Sequence, residues 1–108
     1  MADKRSDGQA VVVTLLQTQN KGDLVRISDF IGILMNAGSS GDQVALDIAQ
    51  DEVEFAVPQS VTANVGDILY MTSGGVITNT SSGNRAFAKV TVAKDANNIV
   101  WAIRLPQA

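Results

Sequence analysis

No cysteine and no histidine occur in the 108 residues. The first absence excludes disulfides and leaves no mark of the redox compartment. The second removes the commonest general base, the commonest metal ligand and the usual pH switch together. A Ser-His-Asp or Cys-His constellation is therefore impossible. Aromatic residues make up only 5%, with one Trp and one Tyr, so the core has to be built from Val, Ile, Leu and Ala. Positive charge is also scarce. Eight Lys and Arg stand against eleven Asp and Glu, a net charge of −3. That balance argues against a nucleic-acid partner, whose affinity comes from basic stripes. No apolar run approaches the length that spans a bilayer, so no membrane partner is expected. Met1 to Gln9 is polar and charged, and Ala10 to Leu16 is too short and too β-branched for a signal core. A soluble protein used without export is the expectation.

Motifs that would carry chemistry are missing too. There is no GxxxxGK[ST] and no Ser-x-x-Lys. Ser73-Gly74-Gly75 and Ser82-Gly83-Asn84 read as turns. Asp95-Ala96-Asn97-Asn98 opens like a calcium loop, but Ile99 holds the fifth position, which needs an oxygen ligand. Asp51, Glu52 and Glu54 could supply paired carboxylates for glycoside hydrolysis. On an alternating strand, however, Glu52 and Glu54 share the outward face as solvated charge. No catalytic residue, cofactor or metal is expected, and the protein reads as a non-enzyme.

What is present is a repeated device. Gly22-Asp23, Gly41-Asp42 and Gly66-Asp67 each precede an apolar run, and Asp7-Gly8 stands reversed before Ala10-Val11-Val12-Val13. Glycine tolerates positive φ, and the Asp side chain can bond the backbone just ahead, so each pair predicts a turn that launches a strand. Ala10 to Gln17 is apolar on both faces, which predicts a strand buried on two sides or shared with a neighbour. Leu24 to Ile27 is a short strand broken at Ser28-Asp29. Phe30 to Met35 contains Gly32, the mark of a bulge or a close backbone approach. Val44 to Ile48 and Glu52 to Val57 alternate, and Pro58 ends the second run. Ala86 to Ala93 and Ile99 to Leu105 predict a hairpin around Lys94 to Asn98. Trp101 sits in this hairpin among apolar neighbours and reads as core or interface. Lys89, Lys94 and Arg104 are basic, whereas Asp42 to Glu54 holds five acids and no base; the two regions could face each other. No amphipathic helix longer than about two turns is visible, and the whole predicts a mainly β domain, a small sandwich or barrel. At this length one domain is expected, 10–108, behind an N-terminal arm, 1–9.

The order of these motifs carries a resemblance. DGQAVVVTL, then KGDLVRISDFIGILMNAGSSGDQVAL, then EFAVP, VGDILYM and finally AFAKV and VWAIRLP is similar to the small tailed-phage capsid cement, or head decoration, proteins. The match spans nearly the whole chain. It departs from the family pattern in the reversed first pair, at Val53 where glycine is usual, and at Met71 where Trp is common. The resemblance implies a β-barrel-like domain of the β-tulip type with an extended N-terminal arm. It also implies a place on the outer surface of the virion's capsid after synthesis in the host cytoplasm. The implied partners are the major capsid protein and the protein itself, as a homotrimer that clamps neighbouring capsid subunits. A polar arm joined to an apolar strand suits β-augmentation, in which an extended segment adds to an exposed sheet edge. The expected capsid-gripping element is therefore Ala2 to Val13, with Ala2, Asp3, Lys4, Arg5, Asp7, Gln9, Val11 and Val13 in contact. Two alternatives stand beside it: a virion-displayed carbohydrate-binding or adhesive β module, and a small hydrolase using Asp51, Glu52 or Glu54.

Overall fold

A computed structural model describes residues 9–107. Among them are nine β-strands and no helix. The chain divides into two compact units, Met1–Ala49 and Gln50–Ala108. Each contains one antiparallel sheet, curled into a half-barrel.

The first unit holds Ala10–Thr14 (β1), Leu24–Ile27 (β2), Phe30–Leu34 (β3) and Gln43–Asp47 (β4), in the order β1-β4-β3-β2. Strands β2 and β3 form a hairpin whose two turn residues, Ser28 and Asp29, have φ of 51° and 65°. Two consecutive positive φ values match the twist of the flanking strands, which is why such turns close hairpins tightly. Alternation delivers Val13, Leu15, Val25, Ile27, Leu34, Val44 and Leu46 to one buried cluster, with Val11, Phe30 and Ile48 against it. The core is aliphatic apart from one Phe, as the composition requires.

Strand β1 differs from its expectation. It ends at Thr14 and buries one face only: Val13 is buried, whereas Val12 is 70% exposed. The strand lies at the edge of its sheet with β4 as its neighbour, and the side chains on its outer face, those of Ala10, Val12 and Thr14, are exposed.

The second unit holds Glu52–Ala56 (β5), Ile68–Met71 (β6), Ile77–Thr78 (β7), Arg85–Val92 (β8) and Ile99–Arg104 (β9), in the order β5-β9-β8-β6-β7. Leu69, Met71, Ala88, Val90, Val100 and Ala102 are its most buried strand residues. Phe55 and Phe87 meet as a tilted ring pair, 5.7 Å between centroids. The β8–β9 hairpin is closed by Asp95, whose Oδ1 accepts from the N–H of Asn97 at 2.8 Å and of Ile99 at 3.0 Å. The calcium-like stretch is thus a turn.

The three Gly-Asp pairs build one and the same piece of structure. Gly22, Gly41 and Gly66 have φ of 90°, 92° and 90°, as the third position of a type II turn demands. The following Asp accepts a hydrogen bond from the N–H three residues back, Asn20 at 2.9 Å, Ser39 at 2.8 Å and Asn64 at 2.8 Å. Each turn then brackets one residue in, or one place beyond, the adjoining strand: Gly N–H donates to its carbonyl, and its N–H donates to the Asp carbonyl. The bracketed residues are Leu34, Leu15 and Val90, at 2.8 and 2.9 Å each time. This is the glycine-type bulge, two residues opposite one, and it fixes where the new strand starts. All three bracketed residues are buried aliphatics.

Candidate functional site

The turn residues Gly22, Asp23, Gly41, Asp42, Gly66 and Asp67 therefore have an architectural duty: their polar groups are spent on the turns themselves. Of the expected arm, Ala2, Asp3, Lys4, Arg5 and Asp7 lie outside the described residues. Gln9 is exposed, and its carbonyl accepts from the N–H of Ile48 at 2.9 Å. For Val11 and Val13 the side chains turn inward: Val13 is buried and Val11 packs on the core of the first unit. The period-2 alternation of a strand forces this, because once Leu15 and Val13 are core the even-numbered residues face outward. The exposed side chains of β1 are instead those of Ala10, Val12 and Thr14.

The sheet edges differ in how they are protected. Edge strands present unpaired N–H and C=O groups, and proteins blunt them with charge, shortness or cover. At the edge strand β5, Glu52 and Glu54 are exposed. The edge strand β7 has two residues. The edge strand β2 carries Arg26, which pairs with Asp29 at 3.2 Å across the turn. Strand β1 (AVVVT) has five residues, no charge and no proline. Among the described residues it alone of the four edges has neither charge nor shortness as a safeguard.

The second feature lies on the outward face of β9. Trp101 and Ile103 are 45% and 46% exposed, and Trp101 shares a shallow hollow with Glu52, Val53 and Glu54. Of the two readings of Trp101, core is excluded. The Glu52 carboxylate is held in place by Thr91, whose hydroxyl donates to it at 2.6 Å. Glu52 pairs with Ile103 and Glu54 with Trp101 in the ladder, so both carboxylates share this outward face as expected. Asp51 is elsewhere engaged: its Oδ1 accepts from Nε of Arg104 at 2.7 Å and lies 2.7 Å from Nη2. One pair of the acidic and basic regions thus does meet. Lys94 instead donates to the carbonyls of Gln59 and Val61. Among the described residues no cluster of acids suits a metal ion.

Sequence reasoning missed the exposure of Ala10, Val12 and Thr14. The available signal was the three-valine run itself, because a strand buried on one face must leave at least one of the three valines outside. No curated protein and no solved structure matches the chain. The family of phage cement proteins matches residues 5–105, nearly the whole length and both units. That match gives the protein a structural role on the capsid exterior, and the chain belongs to the phage cement protein family.

Proposed function

We propose that this cement protein binds the outside of the phage head and bridges neighbouring major capsid subunits, gripping them through its N-terminal segment. Residues 10–108 would act as one β domain behind the 1–9 arm, and three copies grouped together would make each later contact intramolecular, multiplying weak individual grips. The observation that supports the reading best is the family match over 5–105, joined to an arm that continues into an uncharged, exposed edge strand. The test is reconstitution with expanded, undecorated heads followed by pelleting. Wild-type protein should co-sediment saturably, near one copy per capsid subunit. Protein lacking residues 1–9 should keep its melting transition and lose binding. Undiminished binding by the truncated form would remove the arm from the reading.

A second reading, a displayed carbohydrate-binding module, is favoured by the half-exposed Trp101 beside Glu52 and Glu54. An aromatic face with flanking hydrogen-bond acceptors is what a sugar ring stacks on. Trp101 is the sole tryptophan, so its fluorescence reports the site directly. Emission shifted by soluble oligosaccharides would support this reading, and unchanged emission would dispose of it.

A further inference from the structure

We infer that the edge of β1 is an acceptor site for a strand donated by the capsid subunit, which adds to the four-stranded sheet as a fifth strand. The inference rests on the capsid-binding reading above and reverses its direction: the arm reaches toward the capsid, and this edge receives from it.

The backbone parity of β1 is fixed at both ends of its ladder with β4. Gln9 accepts from Ile48, and Leu15 donates to Asp42 at 2.9 Å. Inter-strand bonding alternates along an antiparallel strand, so the odd residues of β1 bond β4. The N–H and C=O groups of Ala10, Val12 and Thr14 consequently point to the open edge. They form a short row of donors and acceptors beside small, uncharged, exposed side chains. The same parity at β5, set by Arg104 N–H to Asp51 and Val57 N–H to Asn98, turns the backbone of Glu52, Glu54 and Ala56 outward. There the two glutamates guard the row.

The occupant follows from what lies next to the edge. Residues 1–8 run directly into β1 and reach at most about 28 Å. A surface held by that segment is therefore close to the open row. The segment itself (MADKRSDG) is a poor fifth strand, because Asp, Lys and Gly disfavour the pleated conformation. A neutral edge calls for a neutral strand, so the donor is an uncharged, β-branched-rich extended stretch of the capsid protein, recognised chiefly through its backbone.

Proline tests this cleanly. Val12→Pro removes an N–H that the fold does not use, and proline is tolerated at such edge positions. Glu54→Pro makes the equivalent change on the guarded edge. With the full chain and expanded heads, Val12→Pro should melt within a few degrees of wild type yet bind at least tenfold more weakly. Glu54→Pro should bind as wild type does. In wild type, amide exchange over Ala10 to Thr14 should slow on saturated heads. A folded Val12→Pro that binds normally would overturn the inference, and so would exchange that heads leave unchanged. The latter holds even if the proline variant fails to fold. Concentration-dependent protection of Val12 in the free protein would also overturn it, by showing that the edge pairs with a second copy. Loss of binding on removing 1–9 with retention in Val12→Pro keeps the arm and discards the edge; the opposite pattern keeps the edge.

Discussion

Gly32→Ala is expected to destabilise the protein by about 3 kcal/mol, near the upper end for overpacking a filled interior. A Cβ placed on Gly32 would stand 2.4 Å from the backbone oxygen of Asp47 and 2.9 Å from Cγ of Leu46. Neither neighbour can step aside. The Asp47 oxygen is backbone of β4, in a stretch that pairs with Ala10 on one side and Ile33 on the other. Leu46 is wholly buried in the core of the first unit. The ladder between β3 and β4 is short, covering Ile33 and Leu34, and it stops where Gly32 lets the two backbones converge. An added methyl group must therefore push the strands apart and open the core beneath. Gly22→Ala provides the comparison. Its φ is 90° but nothing lies within 4 Å of a new Cβ, so only the left-handed strain remains, about 1 to 2 kcal/mol. Urea unfolding should rank the variants in that order, with the larger loss at Gly32. Equal losses would mean that the close approach contributes nothing.

That glycine illustrates how much was legible beforehand. A glycine inside an apolar run predicts a bulge or a close approach, and the close approach is what the fold contains. The strand positions were legible for the same local reasons. Gly-Asp turns, the alternation from Glu52 to Val57 and the polar gap from Lys94 to Asn98 each act within a few residues. The residue that each turn brackets was not legible. Leu15, Leu34 and Val90 are brought to their glycines by pairing between distant stretches, and no local pattern announces that. The exposure of Val12 was only half legible. AVVVT is compatible with burial on one face or on two, and what decides that Val12 is outside is that only one face of this sheet is covered by the core. Trp101 was ambiguous in the same way. Its neighbours Val100 and Ala102 are buried, so an apolar sequence context says nothing about which face of β9 it occupies. For the candidate site, the arm's composition was readable, but the unguarded edge emerges only when all four edges are compared.

Asp51→Ala should cost about 1 to 3 kcal/mol, whereas Arg104→Met should cost less, although it removes the larger side chain. Arg104 is the one charged residue in the buried set among the described residues, with 5% of its surface exposed, at the last position of β9, where it pairs with Ala88. Its guanidinium directs both Nε and Nη2 to one carboxylate oxygen of Asp51, and its N–H donates to the Asp51 carbonyl at 2.9 Å. Removing the acid leaves a buried cation short of one counter-charge, and hydrogen bonds to charged groups are worth about 1.5 to 3 kcal/mol. The figure stays below that of a fully enclosed pair because Asp51 is about half exposed, so water can take its place, and because Arg104 has further interactions. Methionine in place of Arg104 fills similar space without a charge to satisfy, and the freed Asp51 is already well placed to be hydrated. The asymmetry is the informative quantity. Chemical denaturation of the two variants and of the double variant would measure it. If Arg104→Met proved the more damaging, the arginine would be holding β9 through its packed stem rather than through its charge. The pair joins Asp51, at the entry to β5, to the end of β9, and so secures the edge strand that carries Glu52 and Glu54. Weakening it should loosen this guarded edge, which amide exchange over Glu52 to Ala56 would report.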